Sequence, residues 1–227
     1  MDLLGHAVSN NVDWCALVAE RGGVPDRAAG GWRVTGRAAP LFPDAVTLRP
    51  GVSVDAVASV LVDRPVCSVK DSFAEVDLEP HGFRLLFTGR WIGRVPEPVS
   101  QEPVSQEPGW SRVTEPVELA RWCTAAELPQ VLALRMLRQP SVRVLAAHHD
   151  GLLVAGAILT LTGAVVGLSN VVQVRGAAPP VWDQLGSVVA AHVPGLPVVG
   201  YEHGADLERA LAAGFADLGP VRVWLRP

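Results

Sequence analysis

Residues 152–174 contain no charged side chain. A bilayer-spanning helix needs about 20 apolar residues, so the run is long enough to raise a membrane helix as one of two explanations. Its composition favours the other. Gly156, Gly163 and Gly167 interrupt it, and Thr160, Thr162, Ser169, Asn170 and Gln173 place polar groups along it. Thr162-Gly163 stands mid-run, where a two-residue hairpin turn fits. The run reads as two buried strands joined by a tight turn, with no membrane partner.

A second constraint lies upstream. Residues 96–109, PEPVSQEPVSQEPG, hold a tandem EPVSQ repeat. Proline breaks helices and removes ladder donors, so this segment is expected to be an extended, solvated linker. It divides the chain into residues 1–95 and 110–227. In the first part, Asn10 or Asn11 is expected to cap a helix through Trp14, Cys15, Leu17 and Val18, ended by Gly22-Gly23 and Pro25. Short strands follow at 32–35 and 45–48, then a helix capped by Ser53 with Val54, Val57, Val60 and Leu61 apolar. Residues 68–75 are ambiguous, and 83–87 with 90–92 read as a strand pair around Thr88-Gly89. The result is a mixed α+β unit. In the second part the order is strand (111–113), helix (115–123), helical 128–137, and strand 142–147. The 152–161 and 164–174 strands come next, then helix 180–193, strand 196–202, helix 206–213 and strand 220–225.

Charge and cysteine usage narrow the function classes. Net charge is −4 and no Lys/Arg run occurs, so the electrostatic footprint of a nucleic-acid binder is missing. Lys70 is the chain's only lysine. The three cysteines, Cys15, Cys67 and Cys123, are far apart and form no C-x-x-C pair. They read as reduced thiols rather than a disulfide or zinc framework. Cys67, with polar neighbours Ser68, Lys70 and Asp71, is the best placed as a nucleophile. The N-terminus lacks a basic region followed by a long apolar one, so the expected location is cytoplasmic. His148 and His149 beside Asp150 are adjacent on a turn and point apart, so no metal is expected. Gly167-Leu168-Ser169-Asn170-Val171 lacks the final glycine of a nucleophile elbow. H-E-x-x-H, Walker and G-x-G-x-x-G patterns are absent.

Three local patterns in residues 110–227 point to a known family. His149-Asp150-Gly151 followed by Val154-Ala155-Gly156 is one. The strand Gly167 to Val174 followed by Arg175-Gly176 is the second. Leu211-Ala212-Ala213-Gly214-Phe215, then Leu218-Gly219-Pro220 and Val223-Trp224, is the third. With the element order, this half resembles the GNAT N-acetyltransferases. The resemblance implies an α+β fold with a mixed, mostly antiparallel sheet flanked by helices, here with an additional N-terminal α+β unit. That unit is a candidate for a second, degenerate copy of the fold, as in tandem members, with Asn10, Asn11, Lys70 and Asp71 candidates for lining an acceptor pocket.

The resemblance also implies a chemistry. Acetyl-CoA or another acyl-CoA would be the co-substrate and a small-molecule amine the acceptor, with no metal. The backbone N–H groups of Val172 and Val174 would polarise the thioester carbonyl, and Arg175, Gly176 and Ala177 would belong to the phosphate loop. The acyl group would lie where two strands splay apart, between Ser169, Asn170 and Val171 on one side and Tyr201, Glu202 and His203 on the other. Glu202 would act as base and Tyr201 as proton donor to the thiolate; Asn170 completes the catalytic set. The alternative for Glu202 is a helix cap or an ion pair with arginine. Two departures stand out. The loop's two glycine positions hold Ala178 and Pro180, and the tyrosine that serves many relatives as general acid is replaced by Ala210. They motivate a second expectation, a GNAT-like scaffold that binds a ligand or partner without acyl transfer, or runs a different reaction in the same cleft.

Overall fold

The computed structural model describes residues 1–19, 23–26, 30–36, 38–59, 61–96, 109–128, 132, 134–174 and 180–227. Among the described residues eleven strands form one mixed sheet. In chain order they are β1 (Gly23–Asp26), β2 (Gly31–Val34), β3 (Ala45–Thr47), β4 (Cys67–Asp71), β5 (Arg84–Arg94), β6 (Gly109–Arg112), β7 (Val142–His149), β8 (Leu152–Thr162), β9 (Val165–Gln173), β10 (Val198–Glu202) and β11 (Ala216–Arg226). In space the order is β1-β2-β3-β4-β11-β5-β10-β9-β8-β7-β6. The helices are α1 (Leu3–Val18), α2 (Val54–Ser59), α3 (Pro116–Ala125), α4 (Val181–His192) and α5 (Gly204–Ala212), with short 3-10 turns at Glu79–His81 and Leu134–Arg138.

β5 comes before the proline-rich segment in sequence, yet it lies between β10 and β11 and pairs antiparallel with both. The strands before and after that segment are thus interleaved in one sheet. The linker expectation itself falls mostly on residues 97–108, outside the described residues.

Alternation along the strands divides the core between two faces. On one, α4 and α5 bring Trp182, Leu185, Val189 and Ala210 onto Leu145, Ala157, Leu159 and Leu168. On the other, α1 and α3 bring Trp14, Val18, Leu119 and Trp122 onto Val144, Ala146 and Ile158. Trp122 is 1% exposed and its indole donates 2.9 Å to the Leu145 carbonyl. A Cβ on Gly156 would sit 2.2 Å from Trp122 Nε1. The Gly156 of the first sequence pattern is therefore a seat for a buried indole, whose burial is worth about 2–3 kcal/mol.

The structure corrects several expectations. α1 starts at Leu3, because the Asp2 carboxylate caps it by accepting the Gly5 N–H at 2.9 Å. Asn10 and Asn11 lie inside the helix, buried, and use their amides for tertiary bonds. Asn10 Nδ2 donates to Thr160 O at 2.9 Å and Thr162 Oγ1 at 2.8 Å, tying the β8–β9 turn to α1. The expected strand pair around Thr88-Gly89 is one continuous strand, β5. Gly89 marks a close backbone approach there, with a Cβ at that position 2.7 Å from the Glu202 carbonyl oxygen. Pro25, expected after a helix stop, lies in the edge strand β1, paired with Trp32. Of the helix expected over 128–137, the described part forms the 3-10 turn Leu134–Arg138. The uncharged run 152–174 forms β8 and β9 joined at Thr162–Val165, and no described helix is long and apolar enough to cross a membrane.

Candidate active site

β9 and β10 run parallel but pair only at Val166 with Val198 and Gly167 with Val199. Beyond that they part, for two reasons. In β9 a bulge sets Asn170 and Val171 against the single residue Ala157 of β8, since Gly156 faces Val172 and Ile158 faces Ser169. Asn170 takes up the extra residue at φ 50°, a left-handed conformation that asparagine tolerates better than most side chains. Meanwhile β10 follows β5, with Gly200, Tyr201 and Glu202 opposite Ile92, Trp91 and Arg90. The opening is a cleft of about 500 Å³, and Ser169, Asn170, Val171, Tyr201, Glu202 and His203 all line it. The six residues expected to flank the splay are brought together.

Glu202 is the unusual group. Burial pushes its carboxyl up from 4.5 to about 8, and the neighbouring charge of Asp206 adds to the effect, while a hydrogen bond from the His203 backbone works against it. Among the described residues no arginine lies within 4.0 Å of it. The N-cap of α5 is His203, with no side-chain cap bond. Neither structural alternative for Glu202, cap or arginine pair, is what is found. His203 instead stacks on Phe87, ring centroids 4.3 Å apart.

Tyr201 alternates to the opposite face from Glu202. It packs edge-on against Trp91 at 5.5 Å, and Lys70 Nζ lies 4.0 Å from its ring centroid. Its hydroxyl has no hydrogen-bond partner among the described residues. Ser169 Oγ is buried and also without a partner among them.

The backbone donors need correction. The Val174 N–H donates 2.9 Å to Val154 O, so it belongs to the sheet and is not available to a thioester carbonyl. Val172, paired with Gly156 and two residues away, has the same parity and faces β8 as well. Alternation turns the Gln173 N–H the other way. Arg175, Gly176 and Ala177 lie outside the described residues. At the start of α4 the Gln173 Oε1 accepts the Val181 N–H at 3.1 Å, and the N-cap Pro180 supplies no side-chain bond. Ala210 is 0% exposed beneath α5, in the core with Phe215.

The remaining candidates separate cleanly. Asn11 and Lys70 line the cleft. Asp71 does not: its carboxylate holds the turn after β4, accepting the Val76 N–H at 3.0 Å, the Phe73 N–H at 3.3 Å and the Thr47 hydroxyl at 3.4 Å. Cys67 is 2% exposed and packs in the core under β4, where burial pushes its thiol up, so it lacks the thiolate character of a nucleophile. His148 lies 3.8 Å from Glu118 and His149 3.6 Å from Asp150. No group of three or more metal-ligating side chains occurs among the described residues.

No protein-family model matches the chain, and no curated protein matches it by sequence. Solved structures do match. A GCN5-related N-acetyltransferase from Kribbella flavida superposes at TM-score 0.69 and 17% identity, covering 100% of this chain and 96% of its own. A conserved protein of unknown function from Staphylococcus epidermidis gives 0.64 at 11% identity, covering 91% and 94%. A protein assigned to the GNAT family from Novosphingobium aromaticivorans gives 0.62 at 16% identity, covering 96% and 95%. The sequence-level likeness of residues 110–227 is thus part of a larger match, and the chain has the fold of the GNAT acetyltransferases along its whole length.

Proposed function

We propose that the chain is an acyltransferase that moves an acetyl or other acyl group from an acyl-CoA to the amine of a small molecule. The observation behind this reading is a carboxyl held near 8 in the wall of a cleft opened between two parallel strands. An amine entering the cleft attacks the thioester carbonyl. The new C–N bond forms, Glu202 takes the amine proton, and the tetrahedral adduct collapses with loss of the CoA thiolate, which is then protonated. Ser169 Oγ, on the facing strand of the same cleft, is a buried donor without a partner among the described residues and suits the developing oxyanion. The Tyr201 hydroxyl is the available proton donor, since the core position Ala210 has none.

Turnover measured by thiol release from acetyl-CoA against a panel of amines tests this. With Glu202 as base, kcat/KM rises with pH to a plateau above about 8, as Glu202 ionises. Glu202→Gln should lower kcat by roughly 10²–10⁴-fold with acetyl-CoA affinity near unchanged. Equal activity in the variant removes Glu202 from the mechanism.

A second reading rests on its own observation. The first N–H of α4 is already taken by Gln173 Oε1, at the helix start where relatives are expected to grip the CoA pyrophosphate. A scaffold that binds another ligand in the same cleft would show no acetyl-CoA affinity.

A further inference from the structure

Lys70, on β4, is 3% exposed and yet lines the cleft. Its Nζ is 2.8 Å from Asn11 Oδ1 and 4.0 Å from the centre of the Tyr201 ring. No carboxylate among the described residues lies within 4.0 Å of it. The adjacent Asp71 carboxylate is committed to Val76, Phe73 and Thr47. An ammonium group buried without a counter-charge is costly, and the cost persists unless something supplies the charge. It has three donors, and Asn11 satisfies one.

The orientation of Asn11 follows from that bond. Lysine only donates, so the Asn11 amide must turn its oxygen to Nζ. Its NH₂ group is then left in the wall of the same cleft, with no partner among the described residues. Two donor groups, one fully charged, thus share one end of the cavity. Among the described residues no arginine lines it. A phosphate dianion is usually held by arginine forks or several cations, whereas one ammonium plus one amide suits a carboxylate. Trp14, Phe42, Phe87, Leu128 and Leu168 give the cavity a large apolar surface beside these donors.

The geometry points to Lys70 and Asn11 as the receptor for a carboxylate on the acceptor, which makes the acceptor a small amino acid with an apolar side chain. The assignment rests on the acyltransferase reading for the fate of the amine, but the carboxylate receptor is tested separately. L-Leucine and L-leucinamide differ at the carboxylate alone. With acetyl-CoA, the Lys70→Met variant should raise KM for leucine by roughly 10- to 100-fold, the range for hydrogen bonds to charged groups, and leave KM for leucinamide unchanged. The wild type and variant ratios are compared, so the different basicities of the two amines cancel. Equal effects on both acceptors overturn the assignment while leaving acyl transfer intact.

A binding measurement covers the cases of no turnover or a variant that does not fold. Wild-type protein is titrated with N-acetyl-L-leucine and with N-acetyl-L-leucinamide, followed by the fluorescence of Trp14 in the cleft wall. The carboxylate is expected to bind at least about tenfold tighter; equal affinities, or binding of neither, overturn it. Absence of acetyl-CoA binding with retained carboxylate preference would instead sink the acyltransferase reading alone.

Discussion

Replacing Glu202 by glutamine should stabilise the protein at alkaline pH, and the size of the gain follows from the site. The folded state holds the Glu202 proton up to about 8, whereas the unfolded chain releases it near 4.5. A carboxyl whose folded value is raised disfavours folding wherever the unfolded chain is ionised and the folded one is not. Stability from this group is therefore greatest below 4.5, falls as pH rises to about 8, and is flat above that. Each unit is worth about 1.4 kcal/mol, so the full difference is roughly 5 kcal/mol. The side chain is only half-buried and borders a cleft open to water, which reduces the expectation to roughly 2–4 kcal/mol. Glutamine keeps the shape, can accept the His203 N–H, and titrates nowhere. Wild type and Glu202→Gln should thus melt within about 1–3 °C of each other at pH 5 and differ by roughly 5–15 °C at pH 9, the variant higher, using about 2–4 °C per kcal/mol for a chain of this size. Thermal unfolding at pH 5, 7 and 9 measures it. Groups that do not interact with Glu202 cancel in the comparison, so the difference isolates its site. A difference that does not change with pH would refute the reasoning, because it would mean the carboxyl titrates normally in the fold.

Other substitutions probe the frame around the cleft. Gly156→Ala puts a methyl 2.2 Å from Trp122 Nε1 and should destabilise by about 1–3 kcal/mol, read as a lower urea midpoint with unchanged slope. Gly89→Ala places a methyl 2.7 Å from the Glu202 carbonyl oxygen and should push β10 away from β5; reduced turnover with retained folding is expected, and wild-type kinetics would show that the register of β10 is not critical. Asn10→Ala removes the buried bonds to Thr160 O and Thr162 Oγ1, at a cost of about 1–3 kcal/mol for the two by chemical denaturation.

The sequence was most legible where local rules and tertiary structure agree. The uncharged run with Thr162-Gly163 became β8, a turn and β9, because a buried hairpin needs what that run shows. The placement of Ser169, Asn170, Tyr201 and Glu202 followed from the order of elements, which brings the two strand ends to one cleft. Residues with two uses were misread. Asn10 and Asn11 are good cap formers, but here they bond across the core and to Lys70. Gly89 reads as a turn residue, yet it makes room for the Glu202 carbonyl inside a long strand. The direction of the Val172 and Val174 amides depends on how β9 pairs with β8 beside the bulge at Asn170, and no local pattern fixed that register. Lys70 faces Asn11 and Tyr201 across 59 and 131 positions of sequence, and only the interleaving of β4, β11, β5 and β10 brings them together.

Whether the cleft takes acyl-CoA at all is decided by titration calorimetry of acetyl-CoA into the purified chain. An acyltransferase cleft gives saturable binding at one site per chain, abolished by prior occupation of the cleft and near unchanged in Glu202→Gln. No binding at millimolar acetyl-CoA would contradict it and leave the cleft to another ligand.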